Sequence, residues 1–253
     1  MIGDVVARLG RRAVREFLPG LRTELALDLV IANGENTAGG RGLTPATAQE
    51  LFDAGVDVLT SGNHIWEQRE VYPLLDGDVP VLRPLNYPPT VPGRGYLVHR
   101  GVGVINLMGR TFMGLTVDCP FRAADAVLPA LKAETAVVIV DMHAEATSEK
   151  AAMGWYLDGR VSAVLGTHTH VATADARLLP RGTAYVTDVG MVGARDSIIG
   201  MEVGPILERF LNQLPNRFAP VERGAAFFNA VLLEVEEESG RAVAIRRVDR
   251  DLP

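Results

Sequence analysis

The stretch VSAVLGTHTHVATAD, residues 161–175, runs from an apolar segment into two histidines one residue apart, in a chain with five histidines in all. Neutral imidazole is the commonest protein ligand for zinc, iron, manganese and similar cations. Alternation along an extended backbone sends residues i and i+2 to one side, so His168 and His170 face one point if strand pairing continues that far. A polar surface loop is the other reading of the pair on its own. Further residues of the same chemistry bear on the choice: Glu35 and Asn36 follow the apolar run LDLVIAN, Asn63 and His64 follow VDVLTSG, His143 ends AVVIVDMH, and Asp4 falls where a first strand would end. Singly, Asp4 and Asn63 also suit turns, Glu35 a solvated surface and His143 a satisfied core position. Four of the five histidines nevertheless stand at the ends of apolar runs, which points to one shared site.

These residues need a scaffold that gathers strand ends. LDLVIANGEN reads as a buried strand through Leu29 to Ala32, and VDVLTSGNH as another through Val56 to Thr60. Between them LTPATAQELFDAG has Thr44 as a helix N-cap, Pro45 at the first helical position and Gly55 as a stop. Strand, helix and strand in that order imply parallel strands joined by a right-handed crossover. The pattern recurs in AVVIVDMHAE, then SEKAAMGWYLDG with Ser148 as the candidate cap, then VSAVLGTHTH. Hairpins are expected at Arg100 and Gly101 in GYLVHRGVGVINLMG, and near Ser239 and Gly240 in FFNAVLLEVEEESGRAVAIRRV. Parallel units and hairpins in one chain suggest two packed sheets flanked by helices. Ligands of such sheets bind in the crevice beyond the carboxyl ends of the strands, where all the residues above would converge.

At 253 residues, 47% hydrophobic and 22% charged, the chain is long enough for one large α/β domain over residues 1–253. A net charge of −6 lacks the basic footprint that duplex nucleic acid or an anionic membrane calls for, so an anionic substrate must be held by local charge such as bound metal. Cys119 is the single cysteine, which excludes an intrachain disulfide and a zinc-finger pattern and leaves a small, partly buried residue. No stretch approaches the roughly 18 to 20 apolar residues of a bilayer span, and the start lacks the pattern of a cleaved signal, so a soluble cytoplasmic protein is expected.

The series GD, NGEN, SGNH, DMHAEATSEK and GTHTHVATAD, in that order, resembles the metallophosphoesterase superfamily, and specifically its bacterial YmdB-like branch of cyclic-nucleotide phosphodiesterases. The match covers nearly the whole chain and includes RPLNY, NLMGR and DSIIG. The resemblance implies a four-layer α/β/β/α sandwich, in agreement with the two-sheet reading, and a dinuclear Fe or Mn centre acting on phosphodiesters. Carried over position by position, it implies one ion on Asp4, Glu35, Asn36 and His170, and a second on Glu35, Asn63, His143 and His168, with Glu35 as the bridge. A bridging carboxylate holds two ions roughly 3.5 to 4 Å apart, close enough to clamp one phosphate and share the hydroxide that attacks it. Oxygen and nitrogen donors without thiolate favour Fe, Mn or Zn over Cu(I), and ligand type does not choose among the three. His64 is implied as a non-ligand that protonates the departing ribose oxygen. Arg83 to Tyr87 and Asp196 to Gly200 are expected to line the pocket, with turns and packing as the other reading.

Two departures from the superfamily matter. Most members carry Asp-x-His in the first motif, whereas this chain has Asp4, Val5 and Val6. Asn36 is expected to supply the missing ligand, a substitution the branch shares. Only Met1 and Ile2 precede Gly3, where relatives have several apolar residues, so either the start is late or Asp4 is held by a shortened edge and binds its metal more weakly. The implied activity is hydrolysis of 2′,3′- or 3′,5′-cyclic nucleotides. Alternatives are a phosphomonoesterase or nuclease on the same ions, and a regulatory module that binds phosphate, RNA or an RNA-processing partner. An intact ligand set with His64 beside it argues against a purely binding role, and the acidic balance argues against long nucleic acids. A homo-oligomer is left open.

Overall fold

Strands of two to seven residues, too short to persist alone, are gathered here into two six-stranded sheets and one separate hairpin. The computed structural model describes residues 1–253. In order, the elements begin with β1 (Ile2–Val5), α1 (Ala7–Glu24), β2 (Ile31–Asn33), α2 (Pro45–Asp53), β3 (Val58–Thr60) and α3 (Val71–Asp76). They continue with β4 (Tyr96–His99), β5 (Val102–Met108), α4 (Pro120–Glu134), β6 (Val138–His143), α5 (Thr147–Leu157) and β7 (Ala163–Thr167). The last are β8 (Arg177–Leu178), β9 (Ala184–Val186), β10 (Met191–Ala194), α6 (Val203–Asn212), β11 (Ala226–Phe228), β12 (Val231–Val235), β13 (Ala242–Arg247) and β14 (Arg250–Leu252).

One sheet has the order β14-β11-β10-β1-β2-β3 and the other β4-β5-β6-β7-β9-β8. In each, four neighbouring strands are parallel: β10, β1, β2 and β3 in the first, and β5, β6, β7 and β9 in the second. Antiparallel strands close the remaining edges. The two hairpins fall where the turn residues place them, with Arg100 and Gly101 at φ 49° and 77° and Gly240 at 69°.

Period-2 alternation sorts each strand's side chains between two cores. From β6, Val138, Val140 and Met142 pack under α4 and α5 with Leu128, Leu131, Met153 and Leu157, while Ile139 joins Ile31, Val58, Leu165 and Val186 between the sheets. The first sheet packs its outer face, through Val5, Leu59 and Phe228, on Val14 and Leu18 of α1 and Leu51 of α2. The layers are therefore helix, sheet, sheet and helix, the α/β/β/α sandwich. No helix is long and apolar enough to cross a membrane.

The α2 signals work as read. The Thr44 and Thr47 side chains each accept from the other's backbone N–H, at 3.2 and 3.1 Å, and Gly55 follows the helix with φ 107°. Ser148 does not cap α5. The connection from His143 is so short that the helix begins at Thr147, with Ala146 in the cap position and no side-chain cap. Nor is Asp4 on a shortened edge. β1 is central, paired with β2 on one side and β10 on the other, and all four of its residues are buried.

Candidate metal centre

The carboxyl ends of β2, β3, β6 and β7 bring the candidate ligands together between the sheets. Around His143 Nε2 stand Glu35 Oε1 at 2.9 Å, Asn63 Oδ1 at 3.0 Å and His168 Nδ1 at 3.1 Å. Glu35, His143 and His168 each offer a donor atom within 4.8 Å of the others. Gly62 makes room for this: a Cβ there would meet His143 Nε2 at 2.1 Å and Glu35 Oε2 at 2.6 Å. The next turn then places the His64 N–H 2.9 Å from Glu35 Oε2, which fixes the second oxygen of the same carboxylate.

Asp4 and His170 lie outside that cluster and make separate contacts. Asn36 Nδ2 is 3.3 Å from His170 Nε2, and a half-turn of that amide presents its oxygen instead. Asp4 is fully buried, with Oδ2 accepting from the His168 N–H at 3.1 Å and Oδ1 left without any hydrogen-bond partner. A buried, orphaned carboxylate oxygen is costly unless a cation or proton meets it.

The His-Thr-His segment does not continue the strand, so alternation is not what aims it. β7 ends at Thr167, and His168 and His170 both hold left-handed backbone, at φ 96° and 65°. Thr169 between them is tied down: its N–H and hydroxyl donate to Asp188 Oδ2 at 3.1 and 2.6 Å, and the buried Lys150 Nζ donates to the same oxygen at 2.8 Å. The two imidazoles therefore point to neighbouring places, His168 to His143 and His170 to Asn36, rather than to one point.

Each of these imidazoles is also held from behind. His170 Nδ1 donates to the Ile199 carbonyl at 3.0 Å, which leaves Nε2 with its lone pair. His168 Nε2 lies 3.1 Å from Glu145 Oε2, which leaves Nδ1 for the site. Such outer partners set tautomer and orientation in metal-binding histidines.

Burial and neighbouring charge set the protonation of the metal-free cluster. Burial alone would raise Glu35, but His143 against it holds it down to about 2. Burial alone would lower His143, but Glu35, with Asp4 and Asp141, pushes it up to about 9. His168, desolvated and beside His143, falls to about 3. Asp4 is raised by burial to about 6, against the pull of His170 and His143. His143 therefore stays protonated against the Glu35 carboxylate at neutral pH in the metal-free cluster.

The donor set fits divalent cations. Two atoms bound at right angles to one ion with bonds near 2.1 Å stand about 3.0 Å apart, and the three contacts to His143 Nε2 span 2.9 to 3.1 Å.

His64 adjoins the cluster through its backbone N–H, and its side chain is not among the donors around His143 Nε2. Its side chain is a quarter exposed, and Glu67 Oε1 is 3.5 Å from its Nδ1, too far for a good hydrogen bond, so Nδ1 is buried without a partner. The other expected pocket residues take bracing positions. Asn86 holds the end of β5 through Met108 N–H and C=O, and Tyr87 packs edge-on against Trp66, two residues after His64, at 5.4 Å. Arg83 donates to the carbonyls of Pro84 and Leu85. From DSIIG the contact is the Ile199 carbonyl. Glu145, Lys150 and Asp188 were not singled out from sequence, although the first two lie inside DMHAEATSEK. A cavity of about 680 Å³ at the opposite, amino-terminal strand ends is lined by apolar residues such as Leu18, Leu29, Val102 and Leu233, and includes none of the candidate ligands.

Known proteins resemble the chain in sequence and in fold. A Bacillus subtilis (strain 168) protein named 2′,3′-cyclic-nucleotide 2′-phosphodiesterase is 46% identical over 252 residues, covering 98% of this chain and 94% of its own. A crystal structure of a hypothetical protein from Thermus thermophilus superposes with a TM-score of 0.92 at 50% identity, covering 100% of this chain and 98% of that one. The crystal structure of a novel phosphatase from Mycoplasma pneumoniae gives 0.92 at 33% identity, covering 99% and 92%. A sequence model of the family described as YmdB-like protein matches residues 1–248, and the chain belongs to that family.

Proposed function

We propose that the chain is a phosphoric diester hydrolase that opens cyclic nucleotides, 2′,3′-cyclic nucleotides first, at a two-metal site. The observation that carries this reading is the set of three donor atoms within 3.1 Å of His143 Nε2, with His64 beside them and outside the set. The name of the Bacillus subtilis relative supports the substrate class. Glu35, Asn63, His143 and His168 would hold one ion and Asp4, Glu35, Asn36 and His170 the other, Fe or Mn in preference and Zn as a further candidate. Bound there, the ions would supply Lewis acidity at phosphorus and acidify a water enough for it to attack at neutral pH.

The chain's own residues do the rest. Thr169, Ile199 and Glu145 keep His168 and His170 oriented so that little reorganisation is left for the reaction itself. His64, a quarter exposed, would act as general acid. Water would attack phosphorus in line with the ribose oxygen and lose a proton to solvent, the phosphorus–oxygen bond to ribose would break, and His64 would give that departing oxygen its proton. Partial exposure lets His64 recover the proton from solvent between turnovers.

Turnover by Mn-loaded protein on 2′,3′-cyclic AMP, 3′,5′-cyclic AMP, 3′-AMP and p-nitrophenyl phosphate tests the reading. It expects the highest kcat/KM on a cyclic nucleotide and no turnover after chelation. The Mycoplasma relative, described as a phosphatase, favours a second reading in which monoesters are the better substrates. Higher kcat/KM on 3′-AMP than on either cyclic nucleotide would establish that one instead.

A further inference from the structure

We propose that Asp141 and Thr167 are positioning residues of the metal centre, acting through His143 to fix the imidazole tautomer that binds the ion. The proposal rests on the metal reading above.

Asp141 is 1% exposed, and no lysine or arginine pairs with it. It lies on β6 two residues before His143, so both side chains point into the space between the sheets. There Asp141 Oδ2 accepts from Thr60 Oγ1 and from Asn33 Nδ2, the latter at 3.2 Å, and Oδ1 accepts from Thr167 Oγ1 at 2.7 Å. A threonine hydroxyl has one proton, and this one is committed to Asp141. Toward His143 Nδ1, 3.0 Å away, Thr167 Oγ1 therefore presents a lone pair. Asn33 Nδ2 also stands 3.3 Å from His143 Nδ1, but its two protons have acceptors in Asp141 Oδ2 and the Ser61 carbonyl, at 3.2 and 3.4 Å. This places a proton on His143 Nδ1, and a neutral imidazole with Nδ1–H has its lone pair on Nε2. Nε2 is the atom surrounded by Glu35, Asn63 and His168.

The same carboxylate steadies the bridge residue. Asn33 donates to Asp141 through Nδ2, which turns its Oδ1 toward the Glu35 N–H at 3.1 Å. One buried acid thus lies behind two of the proposed ligands and outside the proposed donor set. Loss of such an outer partner typically weakens metal binding ten- to hundredfold.

The test uses the full chain and Mn²⁺ itself. Thr167→Val keeps the shape and removes the hydroxyl, Thr167→Ser keeps the hydroxyl, and Asp141→Asn changes the acceptor. Mn²⁺ dissociation constants come from calorimetry, and nitrogen chemical shifts of the histidines in Zn²⁺-loaded, ¹⁵N-labelled protein report the tautomer. The expected result is Mn²⁺ binding weakened ten- to hundredfold in Thr167→Val with the fold intact by circular dichroism, and within about threefold of the parent in Thr167→Ser. His143 should show Nδ1–H in the parent and in Thr167→Ser, and a mixture of tautomers in Thr167→Val. If Asp141→Asn fails to fold, the threonine pair decides alone. Unchanged Mn²⁺ affinity and an unchanged tautomer in Thr167→Val would overturn the relay while leaving the metal reading intact. Absence of Mn²⁺ binding by the parent chain would overturn the metal reading and the relay with it.

Discussion

The backbone carbonyl of Ile199 lies 3.0 Å from His170 Nδ1, and Ile199 holds a left-handed φ of 48° to put it there. A β-branched residue avoids that region, and the cost is about 1–2 kcal/mol. Ile199→Gly keeps the carbonyl and removes the strain, so it should leave Mn²⁺ affinity within about threefold and the melting temperature unchanged or higher. Ile199→Pro forces φ to about −65° and turns the carbonyl away, so Mn²⁺ binding should weaken about tenfold or more. Equal affinities for the two variants would show that the contact does not orient His170.

Protons and metal compete for His143. In the metal-free protein it keeps its proton up to about pH 9, whereas a cation needs the lone pair. Apparent Mn²⁺ affinity should therefore rise about tenfold per pH unit from 7 toward 9 and then level, with about one proton released per site at pH 7. Calorimetry in buffers of different ionisation enthalpy measures both; an affinity flat across that range would contradict the assignment. The same shift governs the metal-free fold. His143, raised from 6.5, stabilises it fully below pH 6.5, and that contribution is lost as the pH rises through 9. Glu35, lowered from 4.5, contributes above pH 4.5 and loses its share as the pH falls toward 2.

Lys150 and Asp188 form an ion pair at 2.8 Å with side chains 1% and 0% exposed. Removing one partner strands the other charge in the interior. Lys150→Met should cost about 3–5 kcal/mol of stability in denaturant titrations. Because Asp188 also anchors Thr169, Mn²⁺ binding should weaken as well. A loss below about 1 kcal/mol would mean that water or another group compensates Asp188.

His64→Gln separates acid catalysis from metal binding. Both ions should stay bound, while the rate on a cyclic nucleotide falls by about 10² to 10⁴. A p-nitrophenyl phosphodiester expels a phenolate that needs no proton, so its rate should fall far less. Equal losses on the two substrates, or loss of metal, would assign His64 a different role.

Much of this is legible in the sequence because the signals are local. Thr44, Pro45 and Gly55 bound α2 through contacts within one turn, and the apolar runs ending at Glu35, Asn63 and His143 mark strands whose carboxyl ends meet. What was not legible depends on partners far along the chain. Two residues before Gly3 suggested a weak edge, but β1 is made secure by β2 and by β10, whose residues lie far along the chain at Met191–Ala194. His-x-His suggested strand alternation, yet the aim of both rings comes from left-handed backbone held by Asp188 and Lys150. Asp141 gave no signal because an aspartate inside an apolar strand reads as an irregularity until Thr60 and Asn33 of the opposite sheet are seen against it.

The most direct test of the two-metal site is an anomalous difference map at the manganese edge from crystals of the chain grown with Mn²⁺. Two peaks are expected roughly 3.5 to 4 Å apart, one against Asn63, His143 and His168, the other against Asp4, Asn36 and His170, with Glu35 between them. A single peak, or peaks away from Glu35, would contradict the two-metal site.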